Sequence, residues 1–289
     1  MLRNVVLSLR PKQWTKNLAL FVALIFSQSL FKPRMVLLTV SAFCIFCFLS
    51  GGVYILNDII DLEKDRKHPG KLTRPIASGA LSVPQAMTVF CLLVLAALAG
   101  AFRINNLFAL AAIGYLSLQV AYTLLLKHFV IIDIFSIAAG FFLRVLAGAY
   151  AVSVTVSSWL LVCTFFISLF LALCKRRHEI VLLDDEASNH RSVLGKYDVL
   201  LLDQMISVVT ASTVVAYSVY TLSEETVRKF GTSNLKYTIP FVLFGIYRYL
   251  YLVYRKKQGG SPEAILLTDV PLVANVLLYC MTVGLILYL

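Results

Sequence analysis

Residues 35–65 read MVLLTVSAFCIFCFLSGGVYILNDIIDLEKD. From Met35 to Leu56 there is no charge, and the residues that follow are rich in carboxylates. About 20 consecutive apolar residues suffice to cross a bilayer as a helix, so this run reads as a membrane span that carries acidic side chains to the membrane surface. A transmembrane strand would alternate apolar and polar residues, which this run does not. In hydrocarbon a single segment satisfies its own backbone only as a helix.

Eight further runs share that character: Leu18–Phe31, Pro84–Phe102, Leu107–Leu126, Phe129–Ala151, Ser158–Cys174, Met205–Leu222, Tyr237–Tyr254 and Val270–Leu289. The expected fold is therefore all-α, a polytopic membrane protein with nine transmembrane helices. The first run is short, and is read as tilted or partly interfacial. The 289 residues are 60% hydrophobic and 14% charged, whereas soluble domains carry about a quarter charged residues. Both a water-soluble globule, which would expose large apolar patches, and a disordered chain are excluded. No linker composition interrupts the chain, so one transmembrane domain over residues 1–289 is expected. The second and sixth runs each lead into a long charged loop, an echo of topology without sequence identity. The basic leader lacks a small-residue cleavage site, so no cleavable signal peptide is expected.

The net charge is +11, with 26 Lys and Arg. Eighteen of these fall in the N-terminus, the loops 57–83 and 175–204, Lys127 and Arg255–Lys257; six fall on the opposite side, and Arg144 and Arg248 lie inside runs. The basic side of a membrane protein is normally cytoplasmic. The expectation is a bacterial-type cytoplasmic (inner) membrane protein, with the N-terminus inside and the C-terminus outside. Topology thus accounts for the basic excess, and no nucleic-acid partner is expected. The six cysteines lie in apolar runs, and Cys44-x-x-Cys47 has no second Cys or His pair, so neither a disulfide framework nor a zinc site is expected. The four histidines lack metal-ligand spacing, and no Ser or Cys has an accompanying base for nucleophilic catalysis.

Asp58, Asp61 and Asp65 are spaced i, i+3, i+7, which places them on one face of a helix. Adjacent like charges repel unless something positive lies between them. Hard oxygen ligands suit Mg²⁺, which binds through a few carboxylates together with substrate phosphates. Asn57 would add an amide oxygen or orient a ligand. Downstream, His68-Pro69-Gly70 and Pro75 break the helix and fold Lys67, Lys71 and Arg74 back. Cations beside a metal site read as clamps for a diphosphate. The competing reading is a solvated helix end with local salt bridges; three aligned carboxylates at the mouth of a span favour the ion.

Asn57-Asp58-x-x-Asp61-x-x-x-Asp65 followed by His68-Pro69-x-Lys71-x-x-Arg74-Pro75 resembles the first aspartate-rich motif of the UbiA superfamily of intramembrane transferases. Further stretches are similar to its decaprenyl-phosphate phosphoribosyltransferase branch. They are Arg10-Pro-Lys-Gln-Trp-Thr-Lys-Asn17, Ala121-Tyr122-x4-Lys127-His128, Arg144-x-x-Ala147-Gly148, Lys175-Arg176-x-x-Glu179, and Pro262-Glu263 ahead of Asp269. The resemblance implies nine helices around a central cavity and a Mg²⁺-dependent reaction. The donor would be 5-phosphoribosyl 1-diphosphate, the acceptor a polyprenyl phosphate, and pyrophosphate would leave. It implies Asp58, Asp61 and Asp65 as metal ligands, and Asp58, Asp61, Lys71 and Arg74 as the catalytic set. Asn57, Lys12, Lys16, Tyr122, Lys127, Arg144, Lys175, Arg176 and Glu179 are its candidates for substrate binding. A homo-oligomer is left open.

Usual members of the superfamily move a prenyl group from a prenyl diphosphate to an aromatic acceptor. Many carry a second aspartate-rich motif where Lys175, Arg176 and Glu179 stand here. Asp184, Asp185 and Glu186 follow without the i, i+4 pair, which argues against a prenyl diphosphate donor and leaves prenyl transfer as the second reading. A third is a transporter, with Asp133 and Arg144 lining a path on one face of the fifth run; the absence of inverted halves opposes it. Several of these residues also have bland readings. Lys127 would snorkel to the interface. Arg10, Lys12, Trp14 and Lys16 would anchor the chain to headgroups. Asp133 would make a buried structural pair, and Arg248 would pack in its tyrosine-rich run.

Overall fold

The structure is a computed structural model, and it describes residues 1–183 and 196–288. The readings on Asp184, Asp185, Glu186, His190 and Arg191, and on the side chain of Glu263, fall outside what is described. All regular structure among the described residues is helical. The chain divides into two compact units, Met1–Leu126 with Leu143–Thr155, and Lys127–Phe142 with Val156–Leu289.

The first unit begins with α1 (Leu2–Ser8), a 3-10 segment (Pro11–Leu20) and α2 (Phe21–Phe26). It continues with α3 (Pro33–Ile60), α4 (Leu62–Lys67), a 3-10 turn (Pro69–Lys71), α5 (Val83–Ile104) and α6 (Asn106–Leu124). The second half of α7 (Ile132–Ala151) completes it. Pro33 starts α3, where its missing N–H has no partner to lose. The 28 residues of α3 rise about 42 Å, more than the roughly 30 Å of a hydrocarbon core, so the helix is long enough to cross and carry its last turn to the membrane edge. A Cβ on Gly51 would lie 2.8 Å from the Leu9 side chain, so glycine here lets the end of α1 lie against α3. Ser82 and Gln85 form a capping box at the start of α5. Asn105 caps α6 through the Phe108 N–H (2.8 Å) and donates to the Tyr150 carbonyl (2.7 Å).

The core of this unit sets alanines (Ala42, Ala97, Ala101, Ala109, Ala112, Ala147) around Phe46, Phe108 and Tyr115. Between helices in lipid the hydrophobic drive is absent, and small residues gain van der Waals contact by letting backbones approach. On the outer faces Leu92, Leu95 and Leu110 are more than 60% exposed, as lipid-facing side chains are.

The second unit contains the first half of α7, then α8 (Ser158–Leu183), α9 (Val199–Leu222), α10 (Glu224–Phe230) and a 3-10 turn (Asn234–Thr238). It ends with α11 (Ile239–Tyr254), α12 (Pro262–Thr268) and α13 (Val270–Tyr288). Its core is built from Ile134, Phe170, Leu173, Leu202, Tyr249 and Leu252.

Among the described residues seven helices are long and apolar enough to cross a membrane: α3, α5, α6, α7, α8, α9 and α13. This differs from the nine expected at two places. Residues 18–31 do not form one helix; the 3-10 segment hands over to the six-residue α2, which stops at Ser27 and a left-handed Gln28. The eighth run forms α11, whose 16 residues rise only about 24 Å.

Candidate active site

The last turn of α3 and the segment after it form the site. The helix kinks at Asp61 (φ −88°, ψ 10°), which ends α3 and starts α4. Hydrogen bonding continues across the kink, from Asp61 N–H to Asn57 carbonyl (2.9 Å) and from Asp65 N–H to Asp61 carbonyl (2.8 Å). Asp58 and Asp65 therefore remain on one face, 3% and 1% exposed. Gly70 N–H then donates to His68 Nδ1 (3.1 Å), and Arg74 N–H to the Lys71 carbonyl (3.0 Å), so the Pro-Gly stretch folds back as expected.

That fold-back brings the cations onto the carboxylates. Arg74 Nη1 donates to Asp58 Oδ1 (3.0 Å) and to Asp65 Oδ2 (2.5 Å). Lys71 Nζ lies 3.4 Å from Asp65 Oδ1. Arg10 also donates to Asp58 Oδ1, and its guanidinium lies 5.0 Å from the centroid of the Tyr54 ring, one turn before Asp58 on α3. The negative end of the helix dipole at the α3 C-terminus disfavours carboxylates there, and these cations offset it. Losing one partner of a buried ion pair costs about 3–5 kcal/mol, so the cluster is held as a unit.

Not all candidates join this cluster. Asn57 and Asp61 lie beside it at the kink, and Asp61 is close enough to Asp58 for their charges to interact. Lys12 is exposed and Lys16 half-buried on the 3-10 segment. Tyr122 sits in the last turn of α6. Arg144 is buried in the first unit, with Nε on Asn17 Oδ1 (2.9 Å), Nη2 on the Tyr115 hydroxyl (2.7 Å) and its guanidinium stacked on the Tyr115 ring. Lys127 in the turn Leu126–His128 is buried, and Lys175 is half-buried on α8. In the second unit Arg176 donates to Asp133 Oδ2 (2.9 Å) and to Glu179 Oε2 (2.5 Å). Asp133 and Arg144, which the helical period places on one face, thus have separate partners. Arg248 is a bidentate partner of Asp269 as well as a neighbour of the Tyr251 ring.

The donor set decides what the cluster can hold. Among the described residues no three His, Cys, Asp or Glu side chains are gathered as a ligand set. Two buried carboxylates do converge, close enough to share one guanidinium nitrogen. Mg²⁺ usually takes one or two carboxylates and completes its shell with water and substrate phosphates, so these residues fit Mg²⁺ held jointly with a diphosphate. An ion there would compete with Arg74 for the same oxygens.

Apolar helices of span length, with a buried acid–cation cluster at the end of one of them, define a polytopic membrane protein. Residues 18–268 match the UbiA prenyltransferase family, and the chain belongs to that family. It is 32% identical over 272 residues to a decaprenyl-phosphate phosphoribosyltransferase of Corynebacterium glutamicum, covering 92% of this chain and 81% of that protein. It is also 32% identical over 286 residues to the Mycobacterium tuberculosis enzyme of the same name, covering 97% and 93%. A UbiA homologue from Archaeoglobus fulgidus, solved with GPP and Mg²⁺, shares the fold with a TM-score of 0.74 at 19% identity, over 99% of this chain and 100% of that one.

Sequence reasoning left Arg10 between an interfacial anchor and a substrate role, without pairing it to Asp58, and it missed Asn17, Tyr115 and Tyr197 as partners of the buried charges. Arg10 carried one local signal, its place directly before Pro11. The other three gave none, because their partners are far away in the chain.

Proposed function

We propose that this protein transfers 5-phosphoribose from 5-phosphoribosyl 1-diphosphate to a polyprenyl phosphate and releases pyrophosphate, with Mg²⁺ as cofactor. The strongest support is similarity along nearly the whole chain to enzymes named for that reaction class. The cluster of Asp58, Asp65, Arg10, Lys71 and Arg74 has the chemistry a diphosphate donor needs.

In this reading Lys71 and Arg74 grip the diphosphate and stabilise the charge that grows as the ribose C1–O bond breaks. Asp58 and Asp65, with Asp61 beside them, would hold Mg²⁺, which when bound neutralises the departing pyrophosphate. The bond's electron pair leaves with pyrophosphate, and an oxygen of the lipid phosphate forms the new bond to C1. That phosphate is already anionic at neutral pH, so no strong general base is needed. Lys127, Arg144 and Lys175 are the candidates to bind the acceptor phosphate or the donor 5-phosphate, with Lys12 and Lys16 near the membrane surface. The site would face the cytoplasm from the inner membrane, on a single transmembrane domain.

Purified protein in lipid, given labelled phosphoribosyl diphosphate, polyprenyl phosphate and Mg²⁺, should yield a labelled lipid. None from folded protein would sink the reading. Prenyl transfer is the second reading, favoured by the GPP-bound fold relative; competition with prenyl diphosphates and an aromatic acceptor separates the two.

A further inference from the structure

A second buried polar cluster lies in the second unit, and its hub is a residue the proposed chemistry does not use. Asp133, 0% exposed in the first turn of α7, accepts from Arg176 at Oδ2 and from the Tyr197 hydroxyl at Oδ1 (2.8 Å). The Tyr197 oxygen in turn accepts the Ile131 backbone N–H (2.6 Å). Burial pushes the Tyr197 phenol up, so it stays a hydrogen-bond donor to Asp133 at neutral pH.

Ile131 sits at the mouth of α7 with φ 69°. Its carbonyl accepts the first helical bonds, from Ile134 (3.1 Å) and Phe135 (3.0 Å). A β-branched residue in the left-handed region is disfavoured, and such a conformation persists only where its surroundings over-determine it. Backbone N–H groups at a helix start have no partner within the helix. Here Tyr197, 66 residues later in the chain, supplies that partner. The same turn carries Lys127 four residues upstream, and Asp133 ties it to Arg176, the neighbour of Lys175.

We propose that Tyr197 is a positioning residue for the phosphate-binding cations Lys127 and Lys175, acting through its hydroxyl bonds to Ile131 and Asp133. Arg176, shared between Asp133 and Glu179, then belongs to this brace and is not a substrate ligand. The proposal rests on the phosphoribosyl-transfer reading, in which those lysines meet phosphate.

The test uses Tyr197→Phe, which keeps the ring and deletes both hydrogen bonds, in the full chain in nanodiscs. Expected are faster amide exchange at residues 129–133 and a KM for one phosphate substrate raised about five- to tenfold with kcat unchanged. In an Ile131→Gly background, where the left-handed backbone needs no brace, the same change should raise KM less. Unchanged KM for both substrates in an active Tyr197→Phe protein would overturn the positioning role alone, as would a fall in kcat that merely tracks lost folded protein. Unaltered amide exchange would remove its structural basis. Wild-type protein without turnover would overturn the phosphoribosyl reading and this role with it.

Discussion

Arg10 reaches Asp58 Oδ1 from a backbone held at φ 51° and ψ 64°, in the left-handed region. A residue before proline normally adopts an extended backbone, so this conformation carries strain at a candidate functional site. Arg10→Ala and Arg10→Gly should both lower kcat/KM about ten- to a hundredfold, the range for a lost charged hydrogen bond. Glycine enters the left-handed region freely, so Arg10→Gly should be the more stable of the two by about 1 kcal/mol. Parallel kinetics and melting curves check this; full activity in either variant would remove Arg10 from the site.

Arg74 shares one nitrogen between two buried carboxylates, and a cation entering there meets it first. Arg74→Gln should lose about 3 kcal/mol of stability. It should also gain more in melting temperature from Mg²⁺ than wild type does, because the ion no longer competes with a guanidinium. Asp58→Asn should abolish the Mg²⁺-dependent shift. Equal shifts in all three proteins would place the ion elsewhere.

Asp269, between α12 and α13, accepts from Arg248 Nε (3.0 Å) and Nη2 (2.8 Å) and from the Leu272 N–H (3.0 Å). The Arg248 guanidinium holds its carboxyl below the ordinary 3.8. A carboxyl depressed in the folded state adds stability above its unfolded value, and that stability is lost as pH falls through the folded value. The difference in melting temperature between wild type and Asp269→Asn should be constant at neutral pH and close only below about pH 4. A gap that closes between pH 5 and 8 would point to another group.

Gly148 on α7 faces the Leu20 backbone so closely that an added Cβ would collide with the Leu20 carbonyl oxygen and lie 2.8 Å from its carbon. Gly148→Ala should therefore force apart the 3-10 segment and α7, disturb the Asn17–Arg144 bond, and destabilise by about 1–3 kcal/mol. Gly114 on α6 has nothing within 4 Å of such a Cβ. There alanine should stabilise by about 0.5–1 kcal/mol through helix propensity alone. Denaturation of the two variants side by side distinguishes a packing glycine from a replaceable one.

The span of α3, the carboxylates after it and the fold-back at Pro69-Gly70 were legible because each is written within a few residues of itself. Hydrocarbon demands long apolar helices, a helix places i, i+3 and i+7 on one face, and Pro with Gly ends it. The break between the 3-10 segment and α2 was less legible, since residues 18–31 are apolar whichever way the backbone winds. The shortness of α11 was hidden in the same way.

What the amino-acid order settled alone is the membrane class, the all-helical architecture and the acidic motif with its trailing cations, all consequences of local period and solvent. The tertiary structure decided which charges meet. It put Arg10 on Asp58, gave Arg144 to Asn17 and Tyr115, and bound Arg176 to Asp133. A buried charge must find a partner, and which one it finds depends on residues brought together from distant parts of the chain, about which local sequence is silent.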